Sequence, residues 1–212
     1  MYTLIVANAP DLDAQPFEAL LQSADLVIAA DGGCDALARV GIAPHVLIGD
    51  LDSLAPASLE WAAAHGADVQ RHTPEKDETD LELALLLAAG RGAQRIDVLG
   101  ALGGRWDHSL ANVALLALPD LVGRAVRLVG AGQQAFLVRE HAQIEGRAGD
   151  IVSLLPLTGA AHGVTTRGLR YPLHEATLRY ERSRGVSNVL DQPPGAVSVR
   201  DGLLLVVQMA GG

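Results

Sequence analysis

Residues 26–53 read LVIAADGGCDALARVGIAPHVLIGDLDS, and the succession of textures along them decides the fold. Residues 26–30 are apolar without interruption, and Asp31, Gly32 and Gly33 break the run. Residues 34–40 then place apolar side chains at helical spacing, and residues 46–48 are apolar again before Gly49 and Asp50. Strand, glycine turn, helix and strand make one βαβ unit, which predicts a parallel sheet covered by helices. The alternation extends both ways: residues 3–7 and 96–99 read as further strands, and residues 17–22, 57–64 and 81–89 as further helices. Each strand ends in polar or glycine-rich chemistry, at Asn8, Asp31-Gly32-Gly33, Gly49-Asp50 and Gly100 to Gly104. Ligands of open α/β sheets bind beyond the carboxyl ends of the strands, so these loops are expected to share one crevice.

Beyond a last helix at 107–118 the texture changes. Pro119-Asp120 breaks that helix, and residues 126–129, 135–138, 151–155, 177–180, 197–200 and 203–208 read as short strands separated by turn residues. A run of βα elements followed by a run of β elements predicts two domains. The expectation is an α/β N-terminal domain with a parallel sheet at 1–124, then an all-β, sandwich-like C-terminal domain at 125–212.

Composition narrows the functions. Of the 212 residues 49% are hydrophobic and 19% charged, the profile of a globular protein that folds without staples. A formal charge of −9 argues against a general nucleic-acid binder, whose backbone affinity needs a basic surface. Cys34 is the only cysteine, which excludes an internal disulfide and a multi-thiolate zinc site and leaves a small buried apolar residue as its reading. The first ten residues have no basic start, and no apolar stretch reaches the ~18 residues of a membrane span, so a cytoplasmic location is expected.

Two acid clusters carry the chemistry. GDLDS at 49–53 and KDETD at 76–80 put Asp50, Asp52, Asp77 and Asp80 on short segments that a parallel sheet brings to one edge. Like charges gathered there repel unless a cation sits among them, and a magnesium ion carrying phosphates is the obvious candidate. Each cluster also has a structural reading. Asp52 or Ser53 could cap a helix beginning near Pro56, Thr79 and Glu82 fit a capping box that makes Glu82 structural, and Asp77 could serve as a cap. Lys76 is the only lysine among sixteen basic residues, and its compact ammonium suits a phosphate oxygen, against the alternative of an ordinary solvated side chain.

GALGGRWDH at 100–108 follows a strand and precedes a helix. Its glycines leave backbone amides free to approach phosphate oxygens at a positive helix end, where Arg105 would neutralise charge. The rival reading makes this a tight turn with Asp107 as N-cap, and Trp106 reads as packing. The seven histidines are scattered, and His108 alone has an interesting address. GAGQQA at 130–135, with Asp150 downstream, matches a loose dinucleotide pattern, but residues 133–138 read as a strand where that pattern needs a helix.

Taken in order, ADGG (30–33), GDLDS, PEKDETDLELAL (74–85), GALGGRWDHSLANV (100–113), SLLPL (153–157), TTRGLRYPL (165–173) and GVSN (185–188) resemble the thiamine pyrophosphokinases. Leu51 and Trp106 stand where related chains carry other apolar residues, and the resemblance weakens after Asn188. It implies transfer of the pyrophosphoryl group of ATP to thiamine by a homodimer with sites at the subunit interface. It further implies Asp50, Asp52 and Asp80 as magnesium ligands, and Asp31, Lys76, Asp77, Arg105 and Asp107 around ATP and the reacting groups. Asn8, Gly32, Gly33, Gly103, Gly104 and His108 complete the expected substrate-binding set, with Ser187 and Asn188 as thiamine contacts. Asp77 and Asp107 both stand as acceptor of the hydroxyl proton. Two alternatives are transfer to another hydroxymethyl heterocycle such as a pterin, or to water, and a non-enzymatic nucleotide or metal sensor. AMP formation that requires thiamine separates the first reading from the other transfers, and tight ATP binding with no product in the same assay would favour the sensor.

Overall fold

Apolar runs of four or five residues, buried along their whole length, supply the centre of the first unit. In the computed structural model, which describes residues 1–211, the chain divides into the units Met1–Gly130 and Ala131–Gly212. The first follows the order β1 (Tyr2–Val6), α1 (Glu18–Ser23), β2 (Leu26–Ala30), α2 (Gly33–Arg39), β3 (Val46–Gly49), α3 (Pro56–Ala64), β4 (Asp68–Arg71), α4 (Asp80–Gly90), β5 (Arg95–Leu99), α5 (Trp106–Leu115) and β6 (Ala125–Gly130). Its strands pair in parallel in the order β6-β5-β1-β2-β3-β4. Since β1 neighbours both β2 and β5, the chain winds outward from it in two directions, and the switch point lies at its carboxyl end.

Side-chain alternation sorts the strands onto two faces. Leu4, Val6, Val27, Ala29 and Leu47 share one buried cluster with Phe17, Leu21 and Leu37, so α1 and α2 cover that face. Ile5, Ile28 and Ile48, of opposite parity, are buried as well, and α4 packs on β1, β2 and β3 with Leu81, Ala84, Leu85 and Ala88 buried. Burial on both faces explains why β1, β2 and β3 carry no polar alternation.

The second unit comprises β7 (Gln133–Val138), β8 (His141–Ile144), β9 (Ile151–Pro156), β10 (Ala161–Arg167), β11 (Ala176–Leu178), β12 (Asn188–Val189), β13 (Gly195–Ser198) and β14 (Leu204–Met209). Antiparallel pairing gives β12-β9-β14-β7 and β11-β10-β13-β8. Val138, Leu154 and Val206 from the first set meet Ile144, Val164 and Val197 from the second in one core, as in a sandwich.

The structure differs from the sequence reading in several places, among them strands at Ala161–Arg167 and Asn188–Val189 that no apolar run marked. Residues 125–130, assigned above to the second domain, form the sixth strand of the parallel sheet. Residues 68–71 (DVQR) and 141–144 (HAQI) pair as strands without the apolar run that marks one, because their side chains are largely exposed. The last helix begins at Trp106 and ends at Leu115, with a 3-10 turn at Pro119–Leu121. The rejected dinucleotide pattern does enter a strand, β7. Among the described residues no helix is long and apolar enough to cross a membrane.

One buried charge ties three strands of the first unit. Asp97 on β5 is 0% exposed and accepts from Arg127 Nε and a second Arg127 nitrogen at 2.7 Å each, from Arg95 at 2.8 Å and from the Tyr2 hydroxyl at 2.9 Å. Burial opposes the carboxylate's charge, but the arginine bonds outweigh it and hold its pKa below the usual range. Asp97→Asn keeps the shape and strips the charge, so chemical denaturation should show a loss of about 3 kcal/mol. Burial and the Asp97 charge push the Tyr2 phenol up to about 12. An acid whose folded pKa lies above its unfolded one gives stability that is complete below the unfolded pKa and lost as pH rises through the folded one. Thermal stability should therefore fall between about pH 10 and 12, and Tyr2→Phe should flatten that part of the profile.

Candidate active site

A single turn aims the first acid cluster. Leu51 has a φ of +65°, a left-handed conformation that is costly for a branched side chain, and it is 8% exposed among the core residues that cover the sheet. Turning Leu51 inward leaves Asp50 and Asp52 on the opposite side, where the Asp52 amide donates to Asp50 Oδ1 at 3.2 Å. Gly49, with a φ of +148°, lets this turn pass close to its neighbours: a Cβ there would stand 3.1 Å from the Asp80 carboxylate and 3.2 Å from Asp31 Cβ. Asp31, itself at a φ of +46°, lies at the end of β2. One carboxylate oxygen from each of Asp31, Asp50 and Asp52 falls within 4.8 Å of the others.

The second cluster arrives through a helix cap. Thr79 Oγ1 accepts from the Glu82 amide at 3.2 Å and fixes the start of α4, as the capping reading expects. Asp80 then projects from the first turn, and Lys76 reaches it at 3.0 Å and Asp50 at 3.7 Å, with the lysine side chain only 13% exposed. Burial works against the ammonium, but the bond to Asp80 and the charges of Asp80 and Asp50 prevail and raise its pKa. The solvated-lysine reading is thereby displaced. At Asp31 the charged form is the one disfavoured. Burial, with the charges of Asp80 and Asp50, raises its pKa against the Gly32 amide and the Ser53 hydroxyl.

These groups line a cavity of about 610 Å³ at the carboxyl ends of β1, β2, β3 and β5, the predicted crevice. Asn8, Asp31, Asp50, Asp52, Lys76, Asp80, Gly103, Arg105 and His108 all contribute to its wall. Asn112, Glu78 and Pro10 do too, without having been singled out in the sequence, as does Thr79, read there only as a cap. For Asn112 the available signal was its spacing, two helical turns or less beyond Arg105 and His108 on α5.

Other expected residues are placed differently. Gly32 and Gly33 do not line the cavity; a Cβ on Gly33 would lie 2.0 Å from the Val6 carbonyl and one on Gly32 2.5 Å from the Asn8 side chain, so both allow α2 to press against the end of β1. Gly104 stands against Pro10. Asp77 is exposed and outside the lining, and Ala55 and Arg105 occupy the N-cap positions of α3 and α5 that were offered to Asp52 or Ser53 and to Asp107. Asp107 binds Arg105 through both oxygens, at 3.1 and 2.5 Å, and this bond holds the carboxyl down at about 2. Trp106 is not packing: it is 85% exposed. The Gly103 amide, read above as open to phosphate, donates instead to Ser109 Oγ.

Ser187 and Asn188 belong to the second unit. Ser187 is exposed at a φ of +59°, while the Asn188 side chain is buried, donating to the Tyr171 carbonyl at 2.7 Å and accepting from the Tyr171 and Val189 amides.

The first unit's site can take up a cation. Asp31 Oδ1 is out of solvent and accepts no hydrogen bond among the described residues, a costly state for a carboxylate oxygen that a divalent ion would relieve. Asp31, Asp50 and Asp52 would hold it. Asp80, expected in that set, also has its Oδ1 out of solvent, with Lys76 Nζ 3.0 Å away.

Two family models match the chain. One described as "Thiamin pyrophosphokinase, catalytic domain" matches residues 17–125, and one described as "Thiamin pyrophosphokinase, vitamin B1 binding domain" matches residues 139–204. Thiamine pyrophosphokinase of Bacillus subtilis (strain 168) is 28% identical over 206 residues, covering 96% of each chain. Thiamine pyrophosphokinase 1 of Oryza sativa subsp. japonica is 27% identical over 181 residues, 81% of this chain and 68% of that one. The crystal structure of thiamine pyrophosphokinase from Bacillus subtilis matches with a TM-score of 0.87 at 27% identity over 99% of both chains. Thiamin pyrophosphokinase from Candida albicans, at 18% identity, shares the fold with a TM-score of 0.82 over 98% of this chain and 88% of that one.

Titration of the protein alone with Mn²⁺, followed by electron paramagnetic resonance, tests the cation site. Asp31→Asn and Asp50→Asn should each weaken binding by at least about tenfold. Asp77→Asn should leave it unchanged.

Proposed function

Because this chain belongs to the thiamine pyrophosphokinase family, we propose that it transfers the pyrophosphoryl group of ATP to the hydroxyl of thiamine, giving thiamine diphosphate and AMP. The observation that carries the reading is the cavity lined by Asp31, Asp50, Asp52 and Asp80, with the chain's only lysine between Asp50 and Asp80. The thiamine oxygen bonds to the β-phosphorus, the bond from that phosphorus to the oxygen shared with the α-phosphorus breaks, and AMP leaves with that oxygen. Catalysis of such a step is chiefly positioning and charge neutralisation.

Asp50 and Asp52, flanked by Asp31 and Asp80, would hold magnesium, which bound there supplies charge to neutralise the phosphates and polarise their oxygens. Lys76 presents a point charge to a phosphate oxygen from its seat between Asp50 and Asp80. Arg105 serves the same end once it exchanges Asp107 for a phosphate. Asp107, the partner of Arg105, and Asp77 both stand as candidates to take the hydroxyl proton, and both lie just outside the cavity lining. An acidic wall also suits thiamine, whose ring is positively charged. In the second unit, exposed Ser187 is the thiamine contact, and Asn188 holds the Tyr171 backbone beside it. The reading includes a cytoplasmic location, where ATP is supplied, and a homodimer with sites at the subunit interface. Exposed Trp106 and Leu110 on α5 are side chains of the kind a second chain covers.

Phosphorus NMR of protein, ATP and magnesium, with and without thiamine, tests the reaction. Thiamine diphosphate and AMP should rise together and only with thiamine present, and Asp50→Asn should abolish both while leaving the circular dichroism spectrum intact. ADP as the first product, or AMP released without thiamine, would overturn the proposal.

A further inference from the structure

We propose that Ser109 and Asn112 are positioning residues for ATP: one helical turn apart on α5, they hold the loop at 100–105 in the shape that presents Gly103 and Arg105 to the cavity. This inference rests on the ATP reading above.

The loop needs such restraint. Gly100, Gly103 and Gly104 have φ values of +69°, +122° and +63°, and glycine moves readily among such conformations. Within one chain the packing of α5 adds little restraint, since none of its residues is buried. Side-chain hydrogen bonds do. Asn112 Nδ2 donates to the Ala101 carbonyl at 2.7 Å and secures the start of the loop. Ser109 Oγ accepts from the Gly103 amide at 3.2 Å, and its proton goes to the Arg105 carbonyl at 3.2 Å or the Gly103 carbonyl at 3.4 Å, which secures the end.

The two residues differ usefully. Asn112 lines the cavity, whereas Ser109 does not and acts only through the loop. Without the Ser109 hydroxyl the loop samples more conformations, and ATP must select one, so binding weakens while the bound complex stays the same. The cost falls on ATP affinity and spares both turnover at saturation and thiamine.

Steady-state kinetics and calorimetric titration with ATP on the full chain make the test. Ser109→Ala should raise the KM and Kd for ATP about fivefold, the worth of one neutral hydrogen bond. Turnover at saturation and the KM for thiamine should stay within about twofold. Asn112→Asp, which removes the donor, should act in the same direction, and Ser109→Thr, which keeps the hydroxyl, should restore ATP affinity. Should Asn112→Asp fail to fold, Ser109→Ala, which deletes one exterior oxygen, decides alone. Unchanged ATP affinity, a parallel rise in both KM values, or a threonine variant as impaired as alanine would overturn the clamp. Wild-type protein that binds ATP without forming AMP would sink the pyrophosphoryl reading, and the calorimetric comparison would still decide the role of Ser109.

Discussion

The chemistry of this fold depends on a repulsion that it builds deliberately. Asp31, Asp50, Asp52 and Asp80 crowd the ends of two strands and a helix, and Lys76 neutralises only part of that charge through Asp50 and Asp80. Carboxylates placed so close favour any compact cation that joins them. The strain is distributed over backbone as well as charge. Asp31 and Leu51 adopt left-handed conformations, the second costly for its side chain, and Gly49 holds a φ of +148° with Asp80 and Asp31 close by. Packing holds these conformations in place: Leu51 is drawn into the core, and the sheet beneath it is buried on both faces.

The counter-cation of this assembly has to be small. An ammonium reaches both Asp50 and Asp80 from a nearly buried position, where the planar fork of a guanidinium would need a wider seat. A chain that uses arginine at its fifteen other basic positions retains lysine here. The arginine of the site is used differently. Arg105 is exposed and bound to Asp107, a pairing that can be exchanged, whereas the arginines around Asp97 are fixed to a carboxylate that solvent never reaches.

Much of this was legible in the sequence because the signals were local. Apolar strands ending in glycine and aspartate gave the parallel sheet and its crevice, and Thr79 three residues before Glu82 gave the start of α4. The motifs also carried the family. What escaped was set by tertiary contact. That Asp31 would join Asp50 and Asp52 more closely than Asp80 does depends on how far α4 stands from β3, and no spacing encodes it. Gly32 and Gly33 were expected among the substrate-binding residues, but the close approach they permit is to Val6 and Asn8 at the end of β1. Trp106 carries an apolar side chain, and only its place on a helix with no buried residue shows that it faces water. Asp77 and Asp80 are equally acidic in the sequence, and the cap at Thr79 decides which of them turns inward.

The polar strand β4 has its own logic. It ends the parallel order of the first unit, and an outermost strand offers unpaired amides and carbonyls to any extended chain. Asp68 and Arg71 put charge along that border, with Arg91 and Gln70 both anchored on the Asp68 carboxylate. A second polypeptide adding itself there would have to strip water from these groups. The border thus discourages sheet-to-sheet aggregation, and the residues that guard it are the ones that hid the strand from a search for apolar runs.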